Sequence, residues 1–167
     1  IYMAMTYFQR IIAESLNNVE DGEATAIQTY YQPFSFDSEK ENSEFQIVQI
    51  LGNFEYKYGF EYNSNCIVTE WLYRKNLQTK RSSTVFERTT EKVEFGSCVR
   101  KECEVYKEQI PVETLVLTFF NKLKLKSNIF KIVYSGVMDT LVVPTDFCED
   151  TRLLEALLPR LIDEEKS

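Results

Sequence analysis

The chain has 167 residues, 44% of them hydrophobic and 27% charged, with a net charge of −7. That length suits a single domain spanning 1–167, and the acidity disfavours nucleic-acid binding through the whole surface, which requires clustered Lys and Arg. The absence of histidine excludes Ser-His-Asp and Cys-His catalysis and His-ligated metals.

The first element is predicted to be a helix over residues 1–18. Its apolar side chains recur every three or four positions and therefore share one face. They are Met5, Phe8, Ile12 and Leu16. Residues 19–32 carry few periodic signals and are predicted to form a loop with a short turn.

Residues 34–95 are predicted to form an antiparallel meander of about four or five strands, because consecutive hairpins need no crossover. Gly52-Asn53 fits a two-residue hairpin turn. The strand after it alternates most cleanly, with aromatic side chains on one face. They are Tyr56, Tyr58, Phe60 and Tyr62. This face must be covered, and helices at the two ends of the chain are the expected cover.

Residues 111–163 are predicted to be helical. Pro111 suits the first turn of a helix that runs to about Leu125. A second helix is expected over 128–142, and a leucine-rich third helix is expected after Asp150-Thr151. The fold class is therefore α+β, with the meander flanked by an N-terminal helix and C-terminal helices.

The cysteines predict no metal site. Their spacing contains no pair separated by two residues, and there is no histidine to complete a zinc site. They are Cys66, Cys98, Cys103 and Cys148. With no secretory signal and no apolar run long enough to span a bilayer, reduced cysteines in a cytoplasmic protein are expected.

Several polar and aromatic groups have two interpretations each. Glu70 and Glu87 on adjacent strands are either a paired-carboxylate site or, with Arg88, a cross-strand ion pair on a solvated face. Arg74, Arg81 and Arg88 also have two interpretations: they contact a nucleotide or a partner from the sheet edge, or they have no binding role. The aromatic stripe of the second strand is either a base-stacking platform or core. Four lysines form either a phosphate-binding patch or a solvated helix end and loop. They are Lys122, Lys124, Lys126 and Lys131. No catalytic, cofactor-binding or metal-binding residue is assigned.

The order of elements and motifs resembles a known family. The stretches that carry the resemblance are PFSF (33–36), EFQI (44–47), FEYKYGFE (54–61), IVTEWLY (67–73), VFER (85–88) and VETLVLT (112–118). This pattern is similar to that of bacterial AAA/ABC-type ATPases of the abortive-infection and overcoming-lysogenization-defect type.

The resemblance implies an internal piece of a nucleotide-binding head, with the helix over 1–18 following the phosphate-binding loop. None of the five glycines is followed by Lys, so that loop is expected upstream of Ile1, and the Walker B acids are expected downstream of Ser167. ATP and Mg²⁺ are then implied for the parent protein alone. The implied partners are the rest of the head and a second copy of the parent, with nucleic acid reached only through the parent.

Two other functions stay open on the residues alone. One is a self-contained interaction module that presents an aromatic sheet to a protein or peptide. The other is a small-molecule-binding domain with a cavity between sheet and helices.

Overall fold

The computed structural model describes residues 2–16, 24–31 and 42–140. The elements in chain order are α1 (Tyr2–Glu14), α2 (Ala26–Thr29), β1 (Ser43–Leu51), β2 (Phe54–Tyr62), β3 (Ile67–Asn76), β4 (Ser82–Thr89), β5 (Val93–Phe95), α3 (Arg100–Cys103), a 3₁₀ helix (Glu104–Gln109), α4 (Val116–Asn121) and α5 (Ile129–Met138). Within these ranges, no helix has the length and apolar character needed to cross a membrane.

The five strands form one antiparallel sheet in the order β1-β2-β3-β4-β5, which confirms the predicted meander. Gly52 and Asn53 join β1 to β2 as predicted, and Gly52 has a φ of 60°, which glycine adopts without a steric penalty. Register shifts interrupt the β2–β3 and β3–β4 pairings, whereas β1 and β2 pair without a shift.

One face of the sheet carries the core and is covered by helices. The aromatic stripe of β2 is fully buried there, so it is core and the base-stacking interpretation is wrong. Phe8 of α1 packs on it, with ring centroids 5.6 Å from Phe60 and 6.2 Å from Tyr58. At the other end of the sheet Phe130 of α5 stacks on Phe86 of β4 and on Phe120 of α4.

One predicted boundary is wrong in the described part of the chain. The helix expected from Pro111 begins instead at Val116, because the 111–115 backbone bonds to the sheet and to buried side chains; for example, Ile67 donates its N–H to the Val112 carbonyl at 3.0 Å. The predicted sheet start at residue 34 and the leucine-rich helix lie outside the described residues, and β1 begins at Ser43.

On the second face of the sheet, which we call the open face, the described side chains of the strands are exposed or half-buried. Thr69, Trp71 and Tyr73 of β3 point to this side, between Lys57 on β2 and Glu87 on β4. The Trp71 ring lies directly over Gly59, where an added Cβ would come within 2.5 Å of the indole and 2.7 Å of the Phe45 carbonyl oxygen. Gly59 therefore provides the space in which the indole lies against the sheet.

We expect Gly59→Ala to destabilise the fold by about 2–3 kcal/mol, because the new methyl group overlaps both a ring and a backbone atom. Gly52→Ala is the control: its Cβ would meet nothing within 4 Å, and the positive φ alone costs about 1–2 kcal/mol. Urea unfolding of both variants measures the two losses. A smaller loss for Gly59→Ala than for Gly52→Ala would contradict the packing argument.

Candidate functional site

Polar side chains from three adjacent strands meet beneath the helices. Tyr58 on β2, Glu70 on β3 and Arg88 on β4 point to the covered face, with Glu70 directly opposite Arg88 in the strand register. All three bond to one another or to the 111–118 segment that leads into α4. We call these three side chains and the 111–118 segment the buried polar cluster.

Glu70 holds the beginning of α4. Its side chain is 1% exposed and accepts hydrogen bonds from the Val116 N–H at 2.6 Å, the Leu117 N–H at 3.0 Å and the Tyr58 hydroxyl at 3.0 Å. The first N–H groups of a helix lack intrahelical partners and carry partial positive charge, so a carboxylate at this place satisfies both the donors and the local field.

Arg88 holds the irregular backbone just before that helix. Its guanidinium, in a side chain 6% exposed, donates to the carbonyl oxygens of Pro111 at 3.0 Å, Val112 at 3.1 Å and Thr114 at a shorter distance. The Val112 carbonyl also accepts from the Ile67 N–H on β3, and the Pro111 carbonyl accepts from the Thr114 N–H three residues on, so this backbone follows a non-helical path and the helix begins only at Val116.

The same segment binds the end of α1. The Thr114 hydroxyl donates to the Ser15 carbonyl at 2.9 Å, and the Thr118 hydroxyl donates to the Ile12 carbonyl at 2.6 Å. The last carbonyls of a helix lack intrahelical partners. Here two buried threonine hydroxyls are the partners of the Ile12 carbonyl, in the last turn of α1, and of the Ser15 carbonyl, just after the helix. The buried polar cluster therefore joins α1, three strands and α4.

Burial decides the electrostatics of the cluster. It raises the pKa of Glu70 to about 7, against the opposing effects of the Arg88 charge, the two backbone N–H donors and the Tyr58 hydroxyl. Burial, followed by the neighbouring Glu70, raises the pKa of Tyr58 well above its ordinary value. Glu70 is thus a buried carboxyl that gains and loses its proton near neutral pH.

The structure corrects the sequence-based interpretation of Glu70 and Arg88. They were expected to pair across a solvated face, but they are buried, and each bonds to the 111–118 segment. Glu87 does lie on the open face, where it accepts a hydrogen bond from the Tyr73 hydroxyl. Because Glu70 and Glu87 lie on opposite sides of the sheet, the paired-carboxylate site is also wrong.

The other predicted cations do not join the cluster. Arg74 lies over the Phe54 ring at 5.1 Å and bonds to Ser83 at 3.2 Å, whereas Arg81 is exposed. The four lysines of the predicted patch are all exposed, in the loop after α4 and on α5. Within the ranges that the structure describes, no group of three or more His, Cys, Asp or Glu side chains is placed to hold a metal ion.

Thr114 and Thr118 are the members that sequence reasoning missed. Both lie in an apolar run, where threonine differs from valine by a hydroxyl group that requires a partner when buried. For Glu70 the signal was the strand alternation itself, since it shares the parity of the buried Leu72.

In comparisons with known proteins, the chain matches no family model, no curated protein and no solved structure. The resemblance to the ATPase family therefore stays a prediction that rests on the motifs.

The raised pKa of Glu70 predicts that stability declines as pH rises. The folded state binds this proton more tightly than the unfolded state, so the contribution is complete below about pH 4.5 and is lost as pH passes 7. The free energy of unfolding of the wild type, relative to Glu70→Gln, should fall by up to about 3 kcal/mol across that window. Urea unfolding at pH 5 to 8 measures this difference, and a constant difference would contradict the assignment.

We expect Arg88→Lys to destabilise the fold by about 2 kcal/mol, because one ammonium group cannot reproduce the fork that reaches three carbonyls. Arg81→Lys makes the same chemical change at an exposed position and should stay within about 0.5 kcal/mol of the wild type. Thermal and urea unfolding of the pair gives the comparison. Equal effects would show that the Arg88 geometry is unimportant.

Proposed function

We propose that the chain is the sheet-and-helix part of the nucleotide-binding head of an AAA/ABC-type ATPase, of the abortive-infection and overcoming-lysogenization-defect type. Its role is to shape the head and to carry changes of nucleotide state from α1 to the sheet. The observation that carries the proposal is that four of the motifs that resemble the family meet in the buried polar cluster.

The motifs are far apart in sequence but adjacent in space. Tyr58 belongs to FEYKYGFE, Glu70 to IVTEWLY and Arg88 to VFER, and all three either bond to VETLVLT or to a residue that does. Strand residues chosen only for packing would be apolar on the covered face. Buried polar groups that bond to one another across four motifs instead indicate one fixed arrangement to which all four motifs contribute, and this supports the proposal.

The position of α1 suggests how the unit responds to nucleotide. In the family the equivalent helix follows the phosphate-binding loop, so its first turn faces the nucleotide. The opposite end of α1 is held by Thr114 and Thr118 through the carbonyls of Ser15 and Ile12. A displacement of α1 along its axis would stretch these bonds and pull on the 111–118 segment. Because Glu70 and Arg88 bond this segment to β3 and β4, the displacement would then reach the sheet.

The sequence contains no phosphate-binding loop of its own. No glycine is followed by lysine, and three of the glycines are enclosed by other groups: Gly59 by Trp71, Gly96 by the Thr84 carbonyl and Gly136 by Leu51. We therefore assign no step of ATP binding or hydrolysis to this chain. ATP and Mg²⁺ belong to the parent protein in this proposal.

The proposal also fixes the setting of the chain. Its partner is the remainder of the head, and two parent molecules form a homodimer in the cytoplasm of a bacterium, in a defence role. Nucleic acid is reached only through other parts of the parent, in keeping with the net charge of −7.

A self-contained interaction module is the second candidate. The observation that favours it is the open face of the sheet, where Val48 and Ile50 are 54% and 65% exposed. Large apolar side chains exposed side by side mark protein contacts more often than single ones do.

The coding sequence on either side of this segment separates the two candidates. A G-x-x-x-x-G-K-[ST] motif within about ten residues before Ile1, with an acidic Walker B strand far downstream, would support the ATPase head. A start codon close to Ile1 and a stop codon after Ser167 would refute it and favour the interaction module.

In the parent ATPase, we expect Thr118→Val to lower ATP turnover by about tenfold, because it removes the hydroxyl that holds the Ile12 carbonyl but keeps the shape of the side chain. Thr118→Ser keeps the hydroxyl and should stay within about twofold of the wild type. Steady-state turnover, measured with nucleotide affinity, tests the pair. Wild-type turnover in Thr118→Val would limit the contact to a structural role.

A further inference from the structure

A groove lies on the open face, where β2, β3 and β4 come close to the turn that joins β3 to β4. Its volume is about 400 Å³, which is within the range of sites that bind small molecules. Two rungs line it, a rung being three residues paired side by side across these strands. Each rung contains one lysine and one hydroxyl group from β4, and we call the site the lysine groove. The rungs are Glu55–Lys75–Ser82 and Lys57–Tyr73–Thr84.

The charge around the lysine groove is opposite in sign to that of the whole chain. Residues 53–57 and 73–84 contain five cations and one acid, Glu55, in a chain whose net charge is −7. Among the described residues, none of these cations forms an ion pair, although Glu55 lies opposite Lys75 in the strand register. Like charges gathered at one end of a sheet repel one another, and a bound anion would relieve that repulsion. The five cations are Lys57, Arg74, Lys75, Lys80 and Arg81.

Contacts within the protein hold the surroundings of the groove in place. The Arg74 guanidinium lies 5.1 Å from the centre of the Phe54 ring and donates to the Ser83 hydroxyl at 3.2 Å. In the turn before β4, the Asn76 side chain accepts two backbone N–H bonds, at 2.9 and 2.8 Å. Lys80 has a φ of 59°, which is uncommon for a residue other than glycine, and its N–H donates to the Asn76 carbonyl at 2.9 Å. Groups that are positioned before a ligand arrives lower the entropic cost of binding.

Carboxylates limit the length of the positive region. On the same face, the rung after Lys57–Tyr73–Thr84 contains Glu87 opposite Trp71, and Glu61 lies opposite Thr69 in the rung after that. A long polyanion that followed β3 would meet these carboxylates, whereas a compact anion in the groove would not. Ammonium and hydroxyl groups both donate hydrogen bonds to phosphate oxygens. The size and charge of the groove therefore fit a small compound that carries phosphate.

We propose that the lysine groove binds a small phosphate-bearing compound, whose phosphate oxygens accept hydrogen bonds from Lys57, Lys75 and the hydroxyl groups of β4. The inference does not depend on the ATPase proposal, in which ATP belongs to other parts of the parent protein. The groove is also separate from the buried polar cluster, since the two lie on opposite faces of the sheet. Glu55 is the one acid in the groove, so its charge should weaken the binding of phosphate.

Titration of the purified 167-residue chain with inorganic pyrophosphate, followed by amide chemical shifts at constant ionic strength, tests the proposal. We expect saturable shifts in β2, β3 and β4 beside the groove, with a Kd below about 1 mM. Lys57→Gln/Lys75→Gln should weaken binding by about tenfold or more, because it removes both ammonium donors. Glu55→Gln should strengthen binding by about threefold, because it removes the opposing charge, and a purely structural role of these residues would not produce this opposite sign.

The matched control is Lys122→Gln/Lys124→Gln, which removes the same charge from exposed positions in the loop after α4 and should bind like the wild type. Circular dichroism with thermal unfolding checks that each variant folds. Shifts that do not saturate by about 10 mM pyrophosphate overturn the proposal, and so does equal weakening in the control pair. A single-stranded oligothymidylate that binds about tenfold more tightly than pyrophosphate would assign the groove to nucleic acid and also overturn it.

Discussion

Burial of the Glu70 carboxylate is the constraint on which the architecture depends. A carboxylate removed from water is costly unless donors surround it, and three donors do so here: the hydroxyl of a tyrosine on the neighbouring strand and two N–H groups at the start of α4. Those N–H groups lie correctly only if the backbone before them is held, which Arg88 does through carbonyls. The sheet and α4 therefore specify one another.

The same constraint separates the two faces of the sheet. Specificity lies on the covered side, where aromatic rings are the largest fully buried side chains and the polar cluster fixes which strand faces which helix. On the open side, the Trp71 ring lies over Gly59, and Val48 and Ile50 of the edge strand β1 are exposed to solvent. The covered side is thus suited to internal coupling, and the open side and its β1 edge are suited to contact with another molecule.

Periodicity predicted the meander well because each strand of a half-buried sheet repeats its apolar pattern every second residue, as β2 does. It predicted the start of α4 poorly because helix propensity does not include bonds between the backbone and side chains that are distant in sequence. Pro111 is typical of a helix start, yet its carbonyl accepts a hydrogen bond from Arg88. Glu70 was misjudged for a related reason. The strand alternation places Glu70 on the same face as the buried Leu72, but a buried carboxylate is not expected there until its donors from 111–118 are known.

Native-state hydrogen exchange tests the central claim, that the buried polar cluster makes α1, the sheet and α4 one cooperative unit. The account predicts that the slowest amides of α1, including that of Ser15, and those of β2 and β3 exchange with the same opening free energy, within about 0.5 kcal/mol. If α1 instead opened several kcal/mol more easily than the strands, the helix would be an independent element and the account would be wrong.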